Sequence, residues 1–324
     1  MTPIKEQRVQ ANGLDFLVRS AGDPSAPVVI MLHGFPECGY SWRYQMPYLA
    51  DQGFHVLAPD LRGYGRSAAP KEADAYRQDI LVSDVLAILD AFGAPRARVV
   101  GHDWGCALAW QVARQAPERV LAVAGLSVPY PGIGPKPPTE QMRAAFGDRF
   151  FYQLYFQQPE VPERELEADL RDFLRRMYHA LSGPGMKEKH RTHGNATGLL
   201  DILQRPQGAQ PSWMTEADLD VYVDSFERSG MTGPINWYRA MDLSWEQQRA
   251  DGRERIHPPA FFLAGKEDPV IQFAGRALKR MPELMDNLTD IVLLDDVGHW
   301  IQMEAADTVN DYLGRFLGGI EETD

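Results

Sequence analysis

The chain has 324 residues, which is enough for one large core with an insertion or for two domains. Hydrophobic residues make up 44% of it and charged residues 24%, as in ordinary globular proteins. The net charge of −12 argues against nucleic acid or an anionic membrane as a partner, because both are negatively charged.

The cysteines and the apolar stretches restrict the possible class of protein further. Two cysteines, Cys38 and Cys106, are too few for a disulfide framework or a metal-binding set. The N-terminal residues lack the apolar run of a signal peptide, and no stretch is long and apolar enough to span a bilayer. We therefore expect a cytoplasmic protein, and the sequence leaves its oligomeric state, monomer or homodimer, open.

Predicted strands and helices alternate along most of the chain. Residues 7–22 alternate polar and apolar around Asn12-Gly13, which predicts a β-hairpin. Helical periodicity covers 76–92, and a closing helix is expected over about 302–317. The alternation predicts an α/β fold with a mostly parallel sheet flanked by helices. Continuous β-rich runs, typical of strands buried on both faces, occupy residues 28–32, 54–60, 97–100, 121–126, 260–265 and 291–296.

A long segment interrupts this alternation. Residues 129–138 are rich in proline and glycine, as in a linker. From about 139 to 250 the pattern is helical and contains no buried-strand run. The sequence therefore predicts one α/β core, formed by residues 1–134 and 251–324, with a helical cap inserted at 135–250.

A turn between a buried-strand run and an apolar helical run has the layout of a nucleophile elbow. Its glycines are needed because the turn is too tight for a Cβ. The residue at the tip stands at a helix N-terminus, where backbone N–H groups and the helix dipole favour negative charge. Most elbows carry Ser at the tip, and this one carries Asp. The turn is Gly101-His102-Asp103-Trp104-Gly105.

The aspartate at the tip changes the expected chemistry. A carboxylate has an ordinary pKa of about 4, so it needs no base to become a nucleophile. Carboxylate nucleophiles form esters by displacement, and the motif therefore predicts hydrolysis through an alkyl-enzyme ester. The alternative is a buried Asp103 that only caps the following helix.

The loop at residues 33–37 follows a buried-strand run and contains a glycine and a proline. An X-Pro bond in such a fixed loop can be cis. The Phe35 N–H would then be one oxyanion-hole donor and the Trp104 N–H the other. The alternative is a rigid turn without a catalytic role.

Two further polar residues follow buried strands. Asp268 comes after the run at 260–265, and His299 comes after the run at 291–296. Ligands of open α/β sheets bind at the carboxyl edge of the strands, so both are expected beside Asp103. The order nucleophile, acid, histidine is the order found in α/β-hydrolases.

The core resembles the α/β-hydrolase superfamily, and the whole chain resembles the epoxide hydrolases of the soluble type. Five stretches carry the resemblance over nearly the full length, and the first two are shared with haloalkane dehalogenases. The stretches are HGFPE at 33–37, GHDWG at 101–105, YQLYFQ at 152–157, NWYR at 236–239 and GHW at 298–300.

This resemblance implies that Asp103 is the nucleophile, His299 the base and Asp268 its partner. It also implies that Tyr152 and Tyr238 are cap donors to the epoxide oxygen. Ring opening leaves an alkoxide, which a phenol with a pKa near 10 can protonate, and no metal or organic cofactor is required. Tyr155, at helical spacing from Tyr152, is an alternative donor.

The expected partner is a small apolar epoxide. The cap histidines, His179, His190 and His193, are expected to be structural or to lie on the surface. The predicted substrate pocket consists of Phe35, Pro36, Trp104, Tyr155, Phe156, Trp237 and Trp300.

Other functions remain open at this point. A haloalkane dehalogenase would use the same nucleophile, with the indole of Trp104 and of a second tryptophan holding the halide. A fluoroacetate dehalogenase would need an Arg directly after the nucleophile, where this chain has Trp104. A non-catalytic ligand-binding protein is an alternative of another class, because a fold does not fix its function.

Overall fold

The computed structural model describes residues 2–188, 196–203, 205–206 and 211–321. These residues form one eight-stranded sheet. In chain order its strands are β1 (Lys5–Ala11), β2 (Leu14–Ala21), β3 (Val28–Leu32), β4 (His55–Pro59), β5 (Ala97–His102), β6 (Val120–Leu126), β7 (Ala260–Gly265) and β8 (Leu288–Leu294).

The strands lie in the order β1-β2-β4-β3-β5-β6-β7-β8. β1 and β2 pair antiparallel, and β2 also pairs antiparallel with β4. The remaining pairs are parallel. The first pair is the predicted hairpin, and both Asn12 and Gly13 at its turn have positive φ. The predicted mostly parallel α/β sheet is therefore confirmed.

Helices cover the sheet and fill the connection between β6 and β7. Those before β6 are α1 (Gln45–Asp51), α2 (Gln78–Ala91) and α3 (Trp104–Gln115). Between β6 and β7, in a segment called the insertion below, lie α4 (Pro138–Phe146), α5 (Tyr152–Tyr155), α6 (Val161–Glu167), α7 (Leu170–Ala180), α8 (Gly183–Lys187), α9 (Glu216–Ser229), α10 (Thr232–Arg239) and α11 (Met241–Asp251). After β7 come α12 (Pro269–Phe273), α13 (Gly275–Leu284), α14 (Ile301–Glu304) and α15 (Ala306–Gly318).

Two predicted boundaries are wrong. β8 spans Leu288–Leu294 rather than the predicted 291–296. Its start was missed because the exposed Thr289 and Asp290 interrupt the apolar run on this edge strand. The closing helix is two helices, α14 and α15, separated by Ala305, whose φ of −127° and ψ of 43° are not helical.

Apolar residues pack on both faces of the sheet. Along β3, Val28, Ile30 and Leu32 belong to one buried cluster, while Val29 and Met31 belong to a second. The first cluster continues into the apolar residues of the insertion, so the insertion and the sheet share a core. Among the described residues, no helix combines the length and apolar character needed to cross a bilayer.

Candidate active site

The turn between β5 and α3 places Asp103 at its tip, with a φ of 50° and a ψ of −118°. The glycines on either side permit this close approach. A Cβ on Gly101 would lie 2.1 Å from the carbonyl oxygen of Gly105, and a Cβ on Gly105 would lie 2.0 Å from that of Leu32. A larger residue at position 101 would push β5 away from α3, and one at position 105 would push α3 away from the end of β3.

The carboxylate of Asp103 faces the loop that follows β3. The backbone N–H of Phe35 donates to Asp103 Oδ1 at 2.8 Å. Gly34 permits this contact, because a Cβ there would stand 2.4 Å from the Cβ of Asp103. Trp104 is the first residue of α3, so its N–H is one of the helix N-terminal donors without an intrahelical acceptor.

His299 and Asp268 lie beside Asp103, each in a loop after a strand. His299 Nε2 is 3.6 Å from Asp103 Oδ2, and His299 Nδ1 is 3.0 Å from Asp268 Oδ2. Asp268 is fully buried, and its other carboxylate oxygen accepts the N–H of Val270 at the start of α12. The carboxylate thereby fixes the orientation of the imidazole ring.

The two carboxylates set the charge of the imidazole. Burial of His299 opposes protonation, but Asp268 and then Asp103 outweigh it and raise the pKa of the ring to about 9. The imidazole is therefore protonated at neutral pH.

A buried polar layer, which the sequence analysis missed, lies behind this group. His102 Nδ1 is 2.8 Å from Glu37 Oε2, and His102 Nε2 donates to the carbonyl oxygen of His299 at 2.8 Å. Gln302 Nε2 donates to Glu37 Oε1 at 2.7 Å. Burial opposes ionisation of Glu37, but His102 and the Gly34 N–H hold its pKa at about 2. The sequence did contain one indication of this layer, because Glu37 and His102 stand inside the motifs at 33–37 and 101–105.

Tyr152 and Tyr238 lie opposite Asp103, on α5 and α10 of the insertion. Their ring centroids are 5.8 Å apart. The Tyr238 ring packs edge-on against Trp104 at 5.0 Å and against Phe35 at 5.4 Å. Trp104, which follows Asp103, and Phe35, whose N–H binds its carboxylate, are therefore both in contact with Tyr238.

Burial keeps both phenols protonated. It raises the pKa of Tyr152 above its ordinary value, opposed by hydrogen bonds from Gln153 and Tyr238. Burial, the Tyr152 ring and the Asp103 carboxylate together raise the pKa of Tyr238 well above its ordinary value. Both side chains are therefore proton donors rather than phenolates at neutral pH.

Tyr155 faces away from this group. Its hydroxyl donates to Glu165 Oε2 at 2.8 Å, and the ring is 5% exposed. Of the three cap histidines, His179 is buried and its Nε2 lies 3.0 Å from Glu188 Oε1, while His190 and His193 lie outside the described residues.

A cavity of about 560 Å³ opens onto Asp103. Of the predicted pocket residues, Trp104 and Trp237 line it, together with Tyr152 and Tyr238. Trp300 is fully buried and its indole N–H donates to the carbonyl of Tyr178. Five predicted pocket residues do not line this cavity, namely Phe35, Pro36, Tyr155, Phe156 and Trp300.

The site thus combines the Asp103 carboxylate and two phenols around one cavity with a buried acid–imidazole pair beside that carboxylate. In the described part of the chain, no three His, Cys, Asp or Glu side chains are grouped as a metal site. A family model described as the alpha/beta hydrolase fold matches residues 27–306.

Several known proteins are similar to this chain over almost its whole length. Epoxide hydrolase A of Mycobacterium tuberculosis is 43% identical, over 98% of this chain and 98% of that protein. The crystal structure of epoxide hydrolase A from Mycobacterium thermoresistibile is 43% identical with a TM-score of 0.93, and covers 99% of this chain and 100% of that one. An epoxide hydrolase from an endophytic Streptomyces is 40% identical with a TM-score of 0.92, over 98% and 96% of the two chains. The chain belongs to the epoxide hydrolases of the alpha/beta hydrolase fold family.

Proposed function

We propose that this protein hydrolyses a small epoxide to a vicinal diol through an ester on Asp103. The observation that carries the proposal is the pair Tyr152 and Tyr238, which faces the elbow carboxylate across one cavity. A carboxylate can displace at an epoxide carbon, and a phenol can protonate the alkoxide that results.

The first step opens the ring. Asp103 Oδ1 is held by the Phe35 N–H, so Oδ2 is the freer oxygen and attacks the epoxide carbon. A C–O ester bond forms as the C–O bond of the ring breaks. The alkoxide takes a proton from the tyrosine pair, which leaves a neutral ester and one phenolate.

The second step hydrolyses the ester. His299 takes a proton from water, and the hydroxide attacks the carboxyl carbon of Asp103. The Phe35 and Trp104 N–H groups stabilise the oxyanion, which then expels the diol oxygen. The carboxyl proton goes to that oxygen. The proton that His299 carries in the free enzyme passes through solvent to the phenolate once the ester exists, and the proton taken from water then restores the protonated imidazole.

The charge of Asp103 links the two steps. In the free enzyme its carboxylate helps to raise the pKa of His299 to about 9, so the imidazole is protonated and is not a base. Esterification removes this negative charge. The pKa of His299 then falls, and the imidazole becomes able to accept a proton from water only once the ester exists.

We propose in addition that residues 135–250 form a cap over a core of residues 1–134 and 251–324. The helices between β6 and β7 support this division, because α5 and α10 carry the two tyrosines while the core carries Asp103 and His299. A substrate between them would be enclosed and shielded from water during ring opening.

The tryptophans argue against the dehalogenase alternative. The indole N–H of Trp237 donates to the carbonyl of Arg62 at 3.0 Å, and that of Trp300 donates to Tyr178 at 3.0 Å. Neither indole is free to bind a halide beside Trp104. Two phenols at the leaving oxygen instead suit an alkoxide, which needs a proton.

The test is a single turnover with excess enzyme and styrene oxide in oxygen-18-labelled water, followed by mass spectrometry of the peptide that contains Asp103. We expect label in this peptide together with diol, and His299→Gln should accumulate the ester as a mass adduct. Asp103→Asn is the control without a nucleophile.

Three results would contradict the proposal. Diol with label only in the product would mean direct attack by water. Halide release from bromoalkanes without opening of any epoxide would indicate a dehalogenase. Tight binding of epoxide or diol without turnover would indicate a binding protein.

A further inference from the structure

Gln153 follows Tyr152 in the first turn of α5 and lines the same cavity. Its side-chain Nε2 donates to the hydroxyl oxygen of Tyr152 at 2.8 Å. An amide NH₂ group can only donate, so the phenol oxygen is the acceptor in this bond and the phenol proton must point elsewhere.

A second glutamine holds Gln153 in register with both tyrosines. Gln157 Nε2 donates to the carbonyl oxygens of Gln153 and Tyr238, at 3.0 Å each. Arg239 Nε donates to the carbonyl of Phe156 at 3.0 Å. Helices α5 and α10 are thereby tied together at the residues that carry the two phenols.

The surroundings of Tyr152 disfavour the phenolate. Burial and the nearby Asp103 and Asp268 carboxylates raise the pKa of the phenol, and the amide of Gln153 opposes them. A phenolate formed during proton transfer would keep this donor at 2.8 Å, and a hydrogen bond to a charged acceptor is stronger than one to a neutral phenol.

We propose that Gln153 is a positioning residue for ring opening, whose amide N–H turns the Tyr152 proton toward the epoxide oxygen and then stabilises the phenolate. The inference rests on the function proposed above and deepens it. The proton moves from Tyr152 Oη to the ring oxygen as Asp103 forms the ester bond, and Gln153 exchanges no proton.

The experiment measures the rate constants of ester formation and ester hydrolysis separately, by rapid quench with styrene oxide. Gln153→Met removes the donor, and we expect ester formation to slow about tenfold, the effect of one hydrogen bond to a charged group. Ester hydrolysis should keep the wild-type rate, because it depends on His299. Gln158→Met is the matched control, since Gln158 lies in the same segment and is exposed.

Gln153→Glu reverses the polarity of the contact. The new carboxylate accepts a hydrogen bond from the Tyr152 hydroxyl and so turns its proton away from the epoxide oxygen. Ester formation should therefore be slower than in Gln153→Met at neutral pH. It should recover as the pH falls and the new carboxyl becomes protonated. A merely structural role for Gln153 would not produce this pH dependence.

Unchanged ester formation in both Gln153 variants would overturn the proposal, and so would equal slowing of both steps. If the wild-type enzyme forms no ester at all, the proposed function fails. In that case a crystal structure of Gln153→Met still decides the positioning role, because a displaced Tyr152 hydroxyl is expected and an unmoved one contradicts it.

Discussion

At the scale of single residues, the charge of His299 depends on the two carboxylates beside it. It is 3% exposed and lies between Asp268, at 3.0 Å, and Asp103, at 3.6 Å. The closer carboxylate orients the ring through Nδ1, while the farther one is the proposed nucleophile. The same imidazole therefore responds to the chemical state of the group that it is proposed to regenerate.

Asp103→Asn tests this coupling directly, because it removes the charge in the way that esterification would. We expect the pKa of His299 to fall from about 9 by roughly 1 to 2, the usual effect of one neighbouring charge. NMR titration of the histidine ring measures it. Asp268→Asn should lower the pKa further, and an unchanged pKa in Asp103→Asn would refute the coupling.

At the scale of elements, the loop after β8 is held by the insertion as well as by the sheet. The N–H of His299 donates to the carbonyl of Leu181 at 2.8 Å. The partly buried carboxylate of Glu304 accepts the N–H groups of Gly183 and Gly298, at 2.8 and 3.1 Å. The position of the imidazole thus depends on contacts with a segment that is distant in sequence.

Gly298→Ala tests these contacts, because a Cβ there would lie 2.4 Å from backbone atoms of Gly183 and Leu181. We expect a loss of about 1 to 3 kcal/mol in the free energy of unfolding. We also expect the substitution to slow ester hydrolysis, which depends on His299, more than ester formation. Gly275→Ala is the control, since its Cβ would meet nothing within 4 Å. Urea denaturation and single-turnover kinetics measure both effects, and equal stability of the two variants would contradict the prediction.

At the scale of the whole molecule, the insertion and the sheet share one buried cluster. Polar contacts add to it, and Arg43 pairs with Asp218 of α9 at 3.0 Å. Both side chains of this pair are largely buried. The site lies where these parts meet. Because folding raises the pKa of His299, protonation of this residue contributes to the stability of the whole fold.

The pH dependence of unfolding tests that contribution. The pKa of His299 is about 6.5 in an unfolded chain and about 9 in the folded protein. The folded state therefore binds the proton more tightly, which stabilises it fully below the lower value and not at all above the higher one. We expect the stability of the wild type to fall relative to His299→Gln across this window, by an amount on the order of 3 kcal/mol. Urea unfolding at both ends measures it, and a constant difference between the two proteins would refute it.

The sequence by itself determined the sheet and the position of the polar residues along it. Continuous apolar runs are typical of strands buried on both faces of a covered parallel sheet, so the strands could be predicted from local pattern. The chain order of the candidate nucleophile, acid and histidine could be read from the residues that follow these strands. Asp103, Asp268 and His299 each stand within a few residues of the end of such a run, which is why the sequence could group them. The start of β8 was missed because an edge strand exposes part of its side chains.

Only the tertiary structure decided which side chains face the cavity. Tyr152 and Tyr155 stand in one four-residue helix, too short for a periodic pattern to separate its faces. Packing of α5 against α10 turns Tyr152 toward Asp103, while Glu165 binds the hydroxyl of Tyr155. The same holds for the tryptophan indoles and for the layer of Glu37 and His102. Their partners are far away in the chain, and long-range contacts of this kind leave no local signal in the sequence.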